Sequence, residues 1–460
     1  MNAPRLRTAK LASVSPRIAI TGDLVTGRRQ GKRIMAILRL ATRVLGIGQK
    51  ARIGRLGSAS ITAILAGLGV IIAAPAYGQS NANANGIIDS VAPGISLDGN
   101  ATAIGNNSTA AGPNDTALGA SSIAAGGYAT AMGFNANATG GYATAAGAFS
   151  VANGFAATAT GAGANAQGGA ATATGLNSLA VGGYATAGGY LAQAIGANAT
   201  ATGSNSIAFG DSATATGANS NAQGETAIAM GAYANAIGNA ATAVGDQSNA
   251  NGTNAVAVGQ GANAAGVNAT AVGTHAEANG LFASAFGSTA VATGLDAVAI
   301  GSQANATGDF AYAGGYKALA NGLAATSVGY LSSATGDAAT SFGTGAQSNG
   351  GYALAVGFNA QAFGSNASAL SSNSVANGNF ATAFGDSAWA NGVAATAVGE
   401  LANAQGDSAS AFGDGAQAIG TNATALGQQS NALGDNATAT GYLSNASGIN
   451  ATAAGTSSFA

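Results

Sequence analysis

The sequence predicts an all-β solenoid built from coils of 14 residues, with two short strands in each coil. Every seventh residue from Gly105 to Gly455 is glycine, with Ser371 as the single exception and no insertion or deletion in the run. A period that never slips is typical of one continuous stack of coils, because each coil lies directly on the one before it. A helix is a poor alternative, since each of these glycines would cost it about 1 kcal/mol.

The residues between the glycines predict the strands and the core. In heptads that end at the glycine, such as residues 99–105 (GNATAIG), positions three and five are nearly always Ala or Ser, whereas positions four and six vary. This alternation has the period of a β-strand, and the glycine supplies a turn residue with positive φ. Small residues at both inner positions predict a very thin roll, in which the two strands of a coil face each other across methyl and hydroxyl groups.

Two series of heptads alternate along the chain, and they differ at the outward-facing positions four and six. In the first series, which starts with residues 99–105, position four is Thr at eighteen of twenty-six sites and position six is usually apolar. The second series, which starts with residues 106–112, favours Asn and Gln at these positions. One outer face of the roll is therefore predicted to be apolar and the other polar.

The apolar residues at position six of the first series predict self-association. The members of this stripe are Ile104, Leu118, Met132, Val244, Val258, Val272, Phe286, Ile300, Val356, Phe384, Val398 and Phe412. Monomeric proteins seldom expose so long an apolar patch, and burying each large side chain contributes roughly 1.5–3 kcal/mol. We therefore expect the stripe to contact identical copies of the chain.

The pattern inverts between Leu179 and Phe209. Here the apolar residues of position six stand in the second series, as Val181, Ile195 and Phe209, opposite Gly188, Thr202 and Thr216 in the first series. One interpretation is a local change in which strand meets the partner.

The N-terminal segment has the pattern of a secretory signal. Thirteen of the fourteen Lys and Arg lie between Arg5 and Arg55, and the apolar run 61–74 is followed by the small-residue cleavage pattern that ends at Ala76. The alternative, a membrane-anchoring helix, is disfavoured because fourteen apolar residues fall short of the roughly twenty that span a bilayer. We expect a long signal peptide over residues 1–76, translated from Met1 or Met35, then a lead-in or cap over 77–98 and the repeats over 99–460.

The expected mature chain is acidic and lacks cysteine. Only Lys317 opposes fifteen Asp and Glu after residue 76. Nucleic acid and anionic lipid are therefore poor candidate partners, because little cationic surface is present to displace phosphate counterions. An exported chain without disulfides must be stabilised in another way, which the backbone ladder of a solenoid provides.

Residue types that carry catalysis or bind metals are sparse. His275 is the single histidine, and Glu277 would share its side of a strand without a third group nearby. Asp recurs at position one, as in Asp211 and Asp407, but without the nine-residue calcium-binding repeat of other β-rolls, so ordinary turn chemistry explains it better. We expect no enzymatic activity, no cofactor and no metal.

The heptads that end in NATAIG, NAVAVG, DAVAIG and NATALG, which alternate with S-x-A-x-G and A-x-A-x-G units, resemble the head repeats of trimeric autotransporter adhesins, the YadA-like family. The resemblance covers about 357 residues. It implies a left-handed parallel β-roll, assembly as a homotrimer, and a protein of the bacterial surface that binds host matrix proteins or other cells. Proteins of this family normally continue into a coiled-coil stalk and a C-terminal β-barrel anchor, neither of which this sequence contains. We therefore expect attachment to the outer membrane to need a longer gene product or a separate anchor.

Two functional interpretations follow, and they use different faces of the roll. As an adhesin head, the rod would present polar rungs and turn aromatics to a matrix protein or cell-surface ligand. The tyrosines expected to contact that ligand are Tyr128, Tyr142, Tyr184, Tyr233, Tyr330 and Tyr352. An ice-binding solenoid would instead use the flat row of Thr, which Ile228, Val256, Tyr312 and Leu354 interrupt. A purely structural extracellular role is a further alternative.

Overall fold

The computed structural model describes residues 80–82, 88–90, 95–96 and 100–460, and these form only strands, turns and bends. The predicted signal peptide and its cleavage at Ala76 lie outside the described residues. The compact unit that carries the repeats runs from Gly78 to Ala460.

Two parallel sheets build this unit, and each contains 26 of the described strands. The first sheet takes its strands from the first series of heptads. Its strands are Thr102–Ile104, Thr116–Leu118, Thr130–Met132, Thr144–Ala146, Thr158–Thr160, Thr172–Thr174, Thr186–Gly188, Thr200–Thr202, Thr214–Thr216, Ile228–Met230, Thr242–Val244, Val256–Val258, Thr270–Val272, Ser284–Phe286, Val298–Ile300, Tyr312–Gly314, Thr326–Val328, Thr340–Phe342, Leu354–Val356, Ser368–Leu370, Thr382–Phe384, Thr396–Val398, Ser410–Phe412, Thr424–Leu426, Thr438–Thr440 and Thr452–Ala454.

The second sheet takes its strands from the second series. Its strands are Ile95–Ser96, Thr109–Ala110, Ile123–Ala124, Asn137–Ala138, Val151–Ala152, Asn165–Ala166, Leu179–Val181, Gln193–Ile195, Ile207–Phe209, Asn221–Ala222, Asn235–Ala236, Asn249–Ala250, Asn263–Ala264, Glu277–Ala278, Val291–Ala292, Asn305–Ala306, Leu319–Ala320, Ser333–Ala334, Gln347–Ser348, Gln361–Ala362, Val375–Ala376, Trp389–Ala390, Asn403–Ala404, Gln417–Ala418, Asn431–Ala432 and Asn445–Ala446. Before it, Ser80–Ala82 pairs in antiparallel fashion with Ile88–Ser90.

Each strand pairs with the strand one coil away, and the partners are always 14 residues apart. Ile104 lies beside Leu118, and Leu118 lies beside Met132. The hydrogen bonds continue through the turns, where the Gly119 amide donates to the Ile104 carbonyl at 2.8 Å. The predicted parallel solenoid of 14-residue coils is therefore confirmed.

The core is a single layer of alanine between the two sheets, as the small residues at positions three and five predicted. These alanines are buried along the described repeats, except for Ala101, Ala103 and Ala451 near the ends, which are half-buried. The narrowness of the roll is visible where serine replaces alanine: the Ser341 hydroxyl of the first sheet lies 2.6 Å from the Ser348 hydroxyl of the second. A Val at such a position would collide with the facing sheet.

Serine is tolerated in this core because its hydroxyl finds an acceptor. At position three of the second series, the serine hydroxyl donates to the carbonyl of the corner residue three positions earlier, for example from Ser150 to Gly147 at 2.9 Å. A buried hydroxyl without a partner would be costly, whereas this bond satisfies it locally.

The corner glycines have two structural causes, of which the sequence analysis identified one. In the first series they adopt positive φ, as predicted, with Gly105 at 134° and Gly455 at 111°. In most of the second series φ lies outside the left-handed region, yet a Cβ there would overlap the carbonyl of the glycine one coil later, as at Gly126. Close stacking of coils therefore requires glycine at both corners. A further left-handed residue stands at position two of almost every heptad, for example Asn107 at 56°.

Candidate interaction surfaces

The predicted apolar stripe lies on the outer face of the first sheet. All twelve of its predicted members occupy position six, at the end of a strand, and point away from the alanine core. Half of them are exposed in the single chain, including Leu118, Ile300 and Phe384, and the valines and Ile104 are half-buried. Strand register places successive members directly beside each other, as in Val272, Phe286 and Ile300.

The stripe is more continuous than its sequence suggests. In the sequence, Gly314 interrupts it between Ile300 and Val328, but a Cβ on Gly314 would lie 2.9 Å from the Cε1 atom of Tyr312. The Tyr312 ring, from position four of the same strand, therefore covers the place of the missing side chain. The result is an unbroken apolar row from Met230 to Leu426.

A second segment of the first sheet lacks large side chains at position six. We call it the polar interval, and it consists of Ala146, Thr160, Thr174, Gly188, Thr202 and Thr216. The Thr202 and Thr216 hydroxyls lie 3.3 Å apart. On the N-terminal side, Ile104, Leu118 and Met132 form a shorter apolar row.

The inverted segment changes the geometry of the second sheet and leaves the first sheet in place. Strands Leu179–Val181, Gln193–Ile195 and Ile207–Phe209 have three residues each, whereas the other described strands of this sheet have two. Their corner glycines, such as Gly196 at 144°, have the positive φ of the first series. Both sheets therefore have the same strand geometry here, and Phe209 is exposed on the second.

An amide ladder runs along the outer face of the second sheet at position four. The side-chain amide of Asn221 donates to Asn235 at 2.9 Å, Asn235 donates to Asn249 at 3.0 Å, and Asn249 donates to Asn263 at 3.1 Å. Each rung thus donates toward the C-terminus and accepts from the N-terminal side. The face is polar over this stretch, as predicted, whereas exposed apolar side chains such as Ile123, Phe209 and Trp389 stand on it elsewhere.

The ladder leaves an unpaired acceptor where an apolar residue precedes it. The Oδ1 atoms of Asn137, Asn165, Asn221, Asn305, Asn403 and Asn445 are buried without a hydrogen-bond partner. In the first five cases the residue one coil earlier is apolar, as Ile207 is before Asn221. Before Asn445 it is Asn431, whose side-chain amide donates to the Gln429 carbonyl instead. The sequence analysis missed these acceptors, although a hydrophobic residue followed 14 positions later by Asn could have indicated them.

The six predicted tyrosines lie at turns and are exposed, but they do not form one surface. Tyr128, Tyr142, Tyr184 and Tyr352 stand at the turn before the first sheet, whereas Tyr233 and Tyr330 stand at the turn before the second. Tyr128 and Tyr142 stack with ring centroids 5.1 Å apart. Tyr330 stacks on Tyr316 at 5.3 Å. Both edges of the roll therefore carry aromatic groups.

Five of the aspartates at position one accept a hydrogen bond from a backbone amide of the neighbouring coil. The Asp407 carboxylate accepts from the Val393 amide at 2.8 Å, and the Asp435 carboxylate accepts from the Thr421 amide at 2.8 Å. The described residues contain no group of three His, Cys, Asp or Glu side chains able to hold a metal ion. Asp115 is fully buried and accepts from the Gly112 and Ala129 amides at 2.6 and 2.8 Å.

The lone histidine does not share a strand with Glu277. His275 occupies the turn at φ 53°, and the strand begins at Glu277, so the expectation that they lie on one side of a strand is wrong. Both side chains are exposed.

Across the described part of the chain, no helix is long and apolar enough to cross a membrane.

These features define a parallel β-solenoid repeat protein with an apolar outer stripe. Twelve segments match the family model described as the YadA head domain repeat (2 copies). The matched segments are 99–122, 124–150, 187–213, 210–234, 236–262, 264–290, 292–318, 320–346, 348–370, 372–388, 390–416 and 418–444. They cover more than half of the sequence, so the chain belongs to the YadA head-repeat family. A comparison with curated proteins found no match.

Proposed function

We propose that this chain is the head of a bacterial surface adhesin, in which three copies form a rod of left-handed β-rolls with their first sheets facing one another. The observation that carries the proposal is the apolar row from Met230 to Leu426 on a chain of YadA head repeats. Association removes this row from water, and each side chain that becomes fully buried contributes up to about 1.5–3 kcal/mol.

The surfaces that remain open in such a rod are those suited to a ligand. The second sheet faces outward with its amide ladder, and both edges carry exposed tyrosines, which offer contact area at low entropic cost. The described residues from 100 onward contain one cation, Lys317, so the rod is strongly acidic. Its role is binding rather than catalysis, and its ligand is a matrix protein or a molecule on another cell.

The threonine row does not favour ice binding in this arrangement. It occupies position four of the first sheet, on the same face as the apolar stripe. Because the proposed assembly covers that face, the threonines would not be available to an ice surface.

Charging the stripe tests the assembly. The double variant Val272→Asp, Ile300→Asp places three carboxylates on each of two rungs of the interface, so we expect light scattering to detect monomers or unfolded chains. The matched control Asn251→Asp, Asn279→Asp adds the same charge to the second sheet and should keep the mass of the unmodified protein. Equal masses for both variants would refute the interface.

Adhesion is tested separately on the purified assembly. We expect binding to an immobilised matrix protein or to cells, and we expect Tyr184→Ala with Tyr352→Ala to weaken it without altering the mass. These two side chains are 71% exposed, so their removal should leave the fold intact. If the assembled rod bound none of a broad panel of matrix proteins and cells, the adhesin role would be contradicted while the assembly stood.

A further inference from the structure

We propose that the polar interval helps to set the axial register in which copies of this chain associate. The inference rests on the proposed homotrimer. Register is a problem for any such assembly, because consecutive coils present nearly the same surface. A copy displaced by one coil, about 4.8 Å, would still find strands, turns and mostly apolar rungs opposite its own.

Part of the long apolar row does little to prevent this displacement. Val244, Val258 and Val272 are identical neighbours one coil apart, so each fits the place of the next. Elsewhere neighbours differ in size, as Val272 and Phe286 do, and those steps also resist slippage. A chain with one continuous row would still lack any boundary between apolar and polar rungs except at its two ends.

The polar interval adds two boundaries inside the rod. At the first, Met132 lies beside Ala146, and at the second, Thr216 lies beside Met230. In register, each of these residues meets its own copies. After a slip of one coil, a methionine would face a space shaped for a smaller residue, and a threonine hydroxyl would face an apolar side chain. Overpacking, voids and unpaired hydroxyls each disfavour that state.

The small side chains of the interval are not required by the fold of the single chain. A Cβ built on Gly188 would have its nearest neighbours at 3.5 and 3.6 Å, in the Thr174 and Thr202 side chains, which is ordinary contact. Its φ also lies outside the left-handed region. By contrast, a Cβ on the next residue, Gly189, would meet the Gly203 carbonyl oxygen at 2.5 Å. The fold of the single chain therefore does not require a small residue at Gly188, and association is the reason that we propose for the composition of the interval.

The test uses a metal site that forms only when three copies are level. Val272→His would place three imidazoles on one rung, and Co²⁺ is the probe. Imidazole nitrogens bind such ions at about 2.0–2.1 Å, so displacement of one chain by a coil removes a ligand. Background binding is measured on the chain without this substitution, which retains His275.

The interval is then erased or preserved in matched variants of the Val272→His protein. The first carries Thr160→Val, Thr174→Val, Thr202→Val and Thr216→Val, which keep the shape of threonine and remove its hydroxyl. The control carries Thr→Ser at the same four positions, which keeps the interval small and polar. A second variant adds Ala146→Val and Gly188→Val to complete the apolar row. Circular dichroism verifies that each variant is folded.

We expect one Co²⁺ per three chains in the starting protein and in the serine control. In the valine variants the apparent Kd should rise about tenfold or more, because apparent affinity falls with the fraction of molecules in register. Equal affinity in the valine and serine variants, or no binding by the trimeric starting protein, would overturn the inference and leave the trimer intact. A monomer by light scattering would instead overturn the proposed function, and the inference with it.

Discussion

Replacing Ser371 with glycine should stabilise the roll. Ser371 is the single corner residue of the repeats that carries a side chain, and its φ of 128° lies within the range of 111° to 149° that the corner glycines with positive φ adopt. Non-glycine residues in such conformations cost of the order of 1–3 kcal/mol. The structure also accommodates the extra atom by spreading the ladder, since the Gly385 amide lies 3.2 Å from the Leu370 carbonyl, compared with 2.8 Å between Gly427 and Phe412.

The expected increase in the free energy of unfolding is the backbone strain that is relieved, minus the extra conformational entropy that glycine loses on folding. Relief of about 1–3 kcal/mol, less about 0.5–1 kcal/mol for the more flexible unfolded chain, gives a net stabilisation of about 1 kcal/mol. Gly413→Ser is the matched reverse change, three coils further on. Its Cβ would meet the Gly427 carbonyl oxygen at 2.6 Å, so we expect a loss of about 1–3 kcal/mol.

Denaturant unfolding followed by the fluorescence of Trp389 measures both changes. Trp389 is the single tryptophan, and its strand pairs with Val375–Ala376, the strand that follows Ser371. The stability of a repeat protein is roughly a sum of interactions within each repeat and between neighbouring repeats. The fluorescence of Trp389 therefore reports the unfolding of the coils around Ser371. A lower midpoint for Ser371→Gly would refute the reasoning, since it would mean that the serine contributes a favourable contact larger than the strain.

Two further predictions concern hydrogen bonds between coils. Ile207→Asn should be less destabilising in the native chain than in an Asn221→Val background, by about 1 kcal/mol, because the new side-chain amide can donate to the unpaired Asn221 oxygen. A double-mutant cycle of unfolding free energies measures this difference, and a coupling energy of zero would contradict the proposed hydrogen bond. Asp407→Ala should cost about 0.5–1.5 kcal/mol by removing the acceptor of the Val393 amide, and Asp407→Asn should cost less. A chelator should leave the unfolding midpoint of the native chain unchanged, whereas a fall would indicate bound calcium.

The inner positions of the roll could be predicted because the fold determines their size directly. Ala or Ser at positions three and five has one explanation, a space too narrow for a larger residue, and the buried alanine layer confirms it. The outward direction of position six followed from strand alternation in the same way. These are local relations within one heptad, which a sequence displays without knowledge of the neighbouring coils.

Features that depend on the next coil were harder to predict. The sequence shows the same glycine at both corners, although one is needed for positive φ and the other mainly for close approach to Gly140 or its equivalent. The ring of Tyr312 covers Gly314, so the missing side chain at that position leaves no gap in the apolar surface. The Asn221 oxygen is likewise unpaired because Ile207, 14 positions earlier, has no amide to donate to it. A pattern taken within single heptads does not compare residues that lie 14 positions apart.

The inverted segment shows the same limit on a larger scale. Apolar residues at Val181, Ile195 and Phe209 indicated a change, and the structure locates it in the length of the second-sheet strands and in the φ of their corner glycines. The first sheet keeps three-residue strands throughout this segment. Strand length depends on the conformation of the turn that follows, and the amino-acid sequence of the strand alone does not specify that conformation.

The proposed assembly buries the apolar face of the first sheet between identical copies. The most direct measurement is the mass of residues 77–460 by sedimentation equilibrium over a wide range of concentration. We expect a single species with three times the mass of the chain, which persists on dilution because many stacked apolar rungs must separate together. A stable, folded monomer across the whole range would contradict it.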